Sequence, residues 1–207
     1  MDQQEAFVYI VDDDEELCAS LSWLLESVSI RSVVFHTVAS FLEGYDPEAP
    51  ACLVLDVRMP QAGGFQLQET LNQIGSPIPI IFVSAHGDIR MSVKALQQGA
   101  VNFLEKPYDP QQMLDIIQEA LRVAAPRFEA NREQRAVRER LATLTPRERQ
   151  VLALVIEGLP SQNIARILGT SVKTVDVHRA RIKSKTGSDA IATLVRDVLQ
   201  SNVSFTP

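Results

Sequence analysis

Several side chains of this sequence could do chemistry together, and each stands where an apolar run stops. Leu53 to Pro60 reads LVLDVRMP: a short run of β-formers ends at the carboxylate of Asp56, and Pro60 forbids the strand to continue. Phe7 to Val11 ends in the same way at Asp12, Asp13 and Asp14, Ile78 to Val83 ends at Ser84, and Val101 to Leu104 ends at Glu105-Lys106-Pro107. Three carboxylates drawn together repel and raise one another's pKa, so the set makes sense with a hard divalent cation among them. Mg²⁺, which takes a few oxygens and keeps water, fits. The expected ligands are Asp13 and Asp56 directly, Asp12 through water, and the main-chain carbonyl of Arg58. With that charge neutralised Asp56 can attack phosphorus, while Lys106 and the Ser84 hydroxyl stabilise the transferred oxygens. Taken singly, each residue has a plainer explanation: an Asp ending a strand is a turn or helix cap, and a lone Lys is a solvated charge. Their shared position at strand ends is what favours the chemical reading.

The elements that must bring these residues together are legible as period and punctuation. Five apolar runs (7–11, 31–35, 52–55, 78–83 and 101–104) read as buried strands, each followed by a helical pattern. The helices are expected through Leu17, Leu21, Leu24, Leu25 and Val28; over Val38 to Tyr45 with Phe41 and Leu42 inward; after Gly63-Gly64 through Leu67 and Leu71; over Asp88 to Gln98, closed by Gly99; and from Asp109-Pro110, a cap followed by a proline at the first helical position. Alternation of this kind gives the α/β class, a five-stranded doubly wound parallel sheet. With strand order 2-1-3-4-5, the carboxyl ends of strands one, three, four and five meet on one rim at the switch point. His36 and His86 have no second ligand at metal spacing and are expected as surface or packing residues.

Charge divides the chain. Up to Ala124 there are 6 Lys and Arg against 18 Asp and Glu, and from Ala125 on there are 14 against 8. An acidic half suits a cation site and a basic half suits a polyanion. No apolar run approaches the roughly 18 residues of a membrane span. With no signal peptide at the N-terminus the chain is expected in the cytoplasm without a membrane partner, Cys18 and Cys52 being reduced core residues.

Between the halves, Met113 to Val123 continues a helical pattern, Pro126 interrupts it, and Asn131 to Leu144 resumes one rich in Arg, Glu and Gln. Few apolar anchors punctuate that stretch, so residues 125–141 are expected as a solvated, kinked helical linker; a flexible hinge is the alternative.

Beyond it, Thr145-Pro146-Arg147-Glu148 has the form of a capping box with proline at the first helical position. That helix turns Val151, Leu152, Val155 and Ile156 inward. Ser161 starts a short helix closed by Gly169, Ser171 a third running to Lys185, and Ser188 a fourth with Ile191, Leu194, Val195 and Leu199. The second and third form a helix-turn-helix, making residues 142–207 a small all-α domain. In the third helix Val172, Val175 and Ile182 fall at core spacing, whereas the opposite face carries Lys173, Asp176, Val177, Ala180, Arg181 and Ser184. Small and apolar residues on such a face suit a DNA major groove: Val177 and Ala180 can touch thymine methyls, and Asp176 can accept from cytosine. Thr174 belongs to the same candidate surface, and Lys173, Arg179, Arg181, Lys183 and Lys185 would hold phosphates. The plainer reading is a solvated basic helix.

These motifs carry a family resemblance. VDDD, LVLDVRMP, SAHGD and NFLEKP, spanning residues 5 to about 122, resemble the receiver domain of two-component response regulators. LTPRERQVLALVIEGLPSQNIARILGTSVKTVDVHRARIKSKTG, within residues 142 to about 200, resembles a LuxR-type effector domain. Together they match the NarL/FixJ class, on its FixJ-like side. The resemblance implies that a sensor histidine kinase donates a phosphoryl group to Asp56. It also implies that Ser84 and Phe103 form a switch pair, and that the Lys106-Pro107 bond is cis. Phe103 stands where Tyr is commoner, so its part rests on ring packing. In the effector half, the resemblance implies base contacts near Asp176, Val177 and Ala180, dimer contacts from the last helix, and a structural His178. Many members carry Lys where Asp176 stands.

The function expected is a phosphorylation-controlled transcription regulator (residues 1–124 receiver) that dimerises and binds a two-fold DNA site. Its only enzymatic activity would be Mg²⁺-dependent self-phosphorylation and slow self-dephosphorylation; RNA polymerase is a further candidate partner. A phosphatase or dehalogenase is a second class, but those enzymes place an acid two residues after the nucleophile, where this chain has Arg58. A third is an Mg²⁺-dependent signalling scaffold whose basic domain binds protein; duplex binding that weakens steeply with salt would decide against it.

Overall fold

The structure, a computed structural model, describes residues 6–60, 63–85 and 89–201. It divides into two units, Met1–Glu129 and Ala130–Pro207. The first is a five-stranded parallel sheet of order β2-β1-β3-β4-β5, formed by β1 (Phe7–Val11), β2 (Ser32–Phe35), β3 (Ala51–Asp56), β4 (Ile80–Ser84) and β5 (Asn102–Glu105). The three central strands are buried throughout, which is why they read as unbroken apolar runs rather than alternating ones. Alternation decides only which core each side chain enters. Phe7, Tyr9, Val11, Leu53 and Leu55 join Leu67 and Leu71 on one face, while Val8, Ile10, Cys52 and Val54 join Leu21, Leu25, Met113 and Ile117 on the other.

The helices start and stop on the signals their sequences carry. α1 (Glu15–Ser27) is capped by Asp14, whose side chain accepts the Leu17 N–H. Thr37 caps α2 (Val38–Gly44) through the Ser40 N–H. α3 (Gly64–Gln73) begins at Gly64, and α4 (Ile89–Gln97) is closed by Gly99 at φ 97°, where the Ala100 N–H reaches back to the Ala95 carbonyl. Asp109 accepts the Gln112 N–H at the head of α5 (Pro110–Ala142).

Three expectations in this unit need correction. β4 begins at Ile80, because Pro79 has no N–H for the ladder and offers only its carbonyl, to the Leu53 N–H. Leu42 is exposed rather than inward, so that Phe41 alone of its pair fills the core, and Val28, expected within the first helix, is exposed as the residue after α1. The expected start of the fourth helix at Asp88, and His86, lie outside the described residues.

α5 runs unbroken through Pro126, and the boundary between the units falls inside it. The helix is not the bare solvated rod expected from its charge pattern. Ala124 is buried, Phe128 is buried in a core of the first unit, and Val137 and Leu141 join the core of the second. Anchors at both ends explain how the helix carries a proline, whose missing N–H and ring clash oppose an isolated helix.

The second unit packs α6 (Pro146–Ile156), α7 (Ser161–Ile167), α8 (Val172–Thr186) and α9 (Ile191–Gln200) around Val151, Leu152, Ile164, Val175, Ile182 and Leu194. Thr145 and Glu148 form the full capping box at α6. Ser171 caps α8, and Gly187 ends it in the left-handed conformation. Val172 and Leu199, on the first turn of α8 and the last turn of α9, are exposed rather than in the core. The last helix starts at Ile191, later than its Ser188 signal, and the Ser188 hydroxyl instead accepts from Thr186 Oγ1 at 3.1 Å.

Candidate functional site

Register explains how residues far apart in the chain meet. Val11 pairs with Leu55, so Asp12 follows β1 at the level where Asp56 ends β3. Asp56 pairs with Val83 and Ser84 with Glu105, which sets Ser84 and Lys106 one step beyond on the next strands. The Lys106 N–H donates to the Ser84 carbonyl at 2.8 Å, and the following bond to Pro107 is cis.

Lys106 Nζ closes the site. It donates to Asp12 Oδ2 at 2.6 Å and to Asp56 Oδ1 at 2.7 Å. The remaining oxygens are engaged by main chain: Asp12 Oδ1 accepts the Asp14 N–H at 3.0 Å, and Asp56 Oδ2 the Arg58 N–H at 2.6 Å. Asp12, Asp56 and Ser84 are all buried, whereas Asp13 is exposed beside them. Burial pushes the Asp56 carboxyl above its usual range even though Lys106 and the Arg58 N–H pull it down. Lys106 is pulled down by burial, but its two carboxylates outweigh that and raise it. Beneath the site the Cys18 thiol lies 3.5 Å from the Asp12 carbonyl, its pKa pushed up to about 12 by burial and by the neighbouring acids, so it is no nucleophile. His36 is exposed, and its Nδ1 lies 3.1 Å from the same carbonyl.

Gly64 has a part here that spacing alone did not reveal. A Cβ at this position would stand 2.3 Å from the Asp56 carbonyl oxygen and 3.0 Å from the Phe82 ring, so only glycine lets the start of α3 lie against the end of β3. Phe103 is half-buried, its ring 6.3 Å from that of Phe82.

Among the described residues no group of three or more His, Cys, Asp and Glu stands close enough to hold a metal ion by itself. The donor chemistry nevertheless suits a hard cation. Two buried carboxylates share one ammonium and retain a negative charge, and Asp13 adds another at the rim.

In the second unit, Lys173, Thr174, Asp176, Val177, Ala180, Arg181 and Lys183 are all exposed on α8, and Arg179 is half-buried. Thr174 is partly occupied by the cap, its hydroxyl 2.8 Å from that of Ser171. Lys185 is engaged within the domain: its Nζ donates to Glu148 Oε2 at 2.8 Å, joining the end of α8 to the start of α6. Glu148 is buried, which would raise its pKa, but Lys185 and the Thr145 N–H and hydroxyl outweigh burial and lower it. His178 Nδ1 is buried without a hydrogen bond. Ser161 begins α7 as its sequence suggests, and its hydroxyl also donates to Asp176 Oδ1 at 2.9 Å, a contact that spacing did not reveal.

Comparison with known proteins agrees with this division. Residues 8–118 match the response regulator receiver domain family, and residues 142–196 match the bacterial regulatory proteins of the luxR family. The chain is similar to the transcriptional regulatory protein TdiR of Thauera aromatica, 40% identical over 94% of this chain and 86% of that one. It is 34% identical to the transcriptional regulatory protein FixJ of Bradyrhizobium diazoefficiens over 95% of this chain and 96% of that one. Among solved structures it resembles the response regulator StyR, with 42% identity, a TM-score of 0.67, and coverage of 95% of this chain and 99% of that one. A receiver sheet with buried acids and a lysine on its carboxyl rim, joined to a LuxR-type helix-turn-helix, places the chain in the NarL/FixJ class of two-component response regulators, transcription regulators that bind DNA.

Proposed function

We propose that residues 1–124 accept a phosphoryl group on Asp56 from a sensor histidine kinase, and that this controls dimerisation and DNA binding by residues 142–207 through the helical linker 125–141. One observation carries the reading: Asp12, Asp56 and Lys106 meet within hydrogen-bonding distance at strand ends where Ser84 also lies. A carboxylate oxygen of Asp56 attacks phosphorus as the bond to the kinase imidazole nitrogen breaks; with the other ring nitrogen protonated, the electron pair stays on the leaving nitrogen and the products are an acyl phosphate and a neutral imidazole. Lys106 is held by the acids where it can meet the transferred oxygens, and the Ser84 hydroxyl joins it. Asp13, Asp56, Asp12 through water and the Arg58 carbonyl would hold Mg²⁺, which supplies charge neutralisation for that transfer. Phe103, packed near Phe82, is the ring expected to respond with Ser84.

In the effector half, Lys173, Arg179, Arg181 and Lys183 would hold phosphates, and Thr174, Asp176, Val177 and Ala180 would face bases. The exposure of seven of these eight residues on α8 supports this. No helix among the described residues is long and apolar enough to cross a membrane. With DNA as partner, the cytoplasm is the compartment the reading requires, and RNA polymerase is a further partner.

The test is DNA selection from random duplexes with and without a small phosphodonor and Mg²⁺, alongside a measurement of oligomeric state. Phosphorylation is expected to raise both dimerisation and binding in the wild type and to do neither in Asp56→Asn. Equal labelling of the Asn variant, or no response of the wild type, overturns the switch.

A further inference from the structure

α7 begins in an unusual way. Its cap position is held by Pro160, which has no side-chain acceptor to offer, and the serine that could have capped it stands one residue later. The Ser161 hydroxyl therefore is not spent on its own helix. It crosses to α8 and donates to Asp176 Oδ1 at 2.9 Å. Both residues are accessible to water, where such a bond adds little to stability because water offers the same partners. Its main effect is to restrict the rotamer of a carboxylate on the helix face that meets DNA.

A carboxylate there is out of keeping with its neighbours. Lys173, Arg181 and Lys183 suit phosphates, whereas Asp176 would be repelled by them, so a productive position for it is against a hydrogen-bond donor on a base edge. The major groove offers two such donors. The adenine amino group lies beside N7, an acceptor that faces a carboxylate unfavourably. The cytosine amino group has no acceptor next to it on its own base, and guanine O6 and N7 and thymine O4 are all acceptors.

We propose that Ser161 is a positioning residue for base recognition. It holds Asp176 through Oδ1 and leaves Oδ2 to accept from the N4 amino group of one cytosine in each half-site. Fixing the carboxylate beforehand lowers the entropy lost when it meets the base, so the gain falls on sequence preference rather than on general affinity. The inference rests on α8 facing DNA and refines that reading.

The experiment is selection from random duplexes with the full-length chain, treated with a small phosphodonor and Mg²⁺, as wild type, Ser161→Ala, Ser161→Thr and Asp176→Ala. Binding of each to one fixed duplex lacking the selected site is followed against salt. Wild type is expected to favour cytosine at one half-site position by about tenfold or more, a preference that Asp176→Ala loses. Ser161→Ala is expected to weaken it severalfold, with melting temperature and salt dependence unchanged, and Ser161→Thr to restore it. Wild-type preference retained by Ser161→Ala overturns the positioning role, and preference retained by Asp176→Ala overturns the base contact. A wild type that binds no duplex in a salt-dependent way overturns instead the reading on which both rest.

Discussion

Lys106 Nζ donates to Asp56 Oδ1 at 2.7 Å while the same nitrogen holds Asp12, so one ammonium offsets two buried carboxylates. The offset is incomplete, because burial still leaves the Asp56 carboxyl above its ordinary 3.8. An acid whose pKa is raised by folding binds its proton more readily folded than unfolded. The wild type therefore gains stability as pH falls through the folded pKa and levels off below 3.8. Asp56→Asn has no such titration. It should be the more stable protein above the folded pKa, with the gap closing as pH falls, measured by urea denaturation over a pH series. A gap that stays constant across that range would contradict the argument.

Gly64→Ala puts a methyl group 2.3 Å from the Asp56 carbonyl oxygen. The nearest atom is a backbone oxygen, with the buried Phe82 and Leu55 side chains close behind, so α3 must shift away from the strand end. A loss of about 1–3 kcal/mol is expected, together with slower labelling of Asp56 by a small phosphodonor. Unchanged stability and labelling would show that the close approach is not needed.

Lys183 and Lys185 are both exposed lysines near the end of α8, yet their substitutions should behave differently. Lys183→Ala should reduce the salt slope of duplex binding by about one unit and leave the melting temperature alone. Lys185→Ala should leave the slope alone and cost about 1–2 kcal/mol of effector stability, a figure discounted for the half-open position of the lysine. Folding lowers the Glu148 pKa from its ordinary 4.5, so the stability it contributes is present above 4.5 and is lost as pH falls through the folded value. The Lys185→Ala deficit should shrink over that acid range.

Pro126→Ala restores an N–H to the interior of α5 and removes the ring clash with the preceding turn. A gain of about 1–3 kcal/mol is expected from the relative helix propensities, read as a higher melting temperature with increased helical circular dichroism. A lower melting temperature would mean that the proline ring contributes packing that alanine lacks.

How much of this was legible beforehand follows from which interactions are local. Strands that are buried on both faces must be apolar throughout, and a chain that leaves such a strand places its first polar residue on the rim. Asp12, Asp56, Ser84 and Lys106 were therefore readable as one set from period and punctuation alone. The helix starts at Thr145 and Ser171 were legible because a cap bonds to a backbone N–H only three residues on. What the linear pattern could not supply was the choice of partner between side chains of equal local standing. Lys185 and Lys183 look alike until α6 brings the buried Glu148 under one of them, and Ser161 looks like a cap until α8 sets Asp176 within its reach. The charge pattern of α5 likewise hid Phe128 and Val137, because the few apolar positions at helical spacing are outnumbered by the charges between them. Local periodicity determines which faces are apolar, but only the packed chain determines which polar groups meet across them, since those distances depend on elements far apart in sequence.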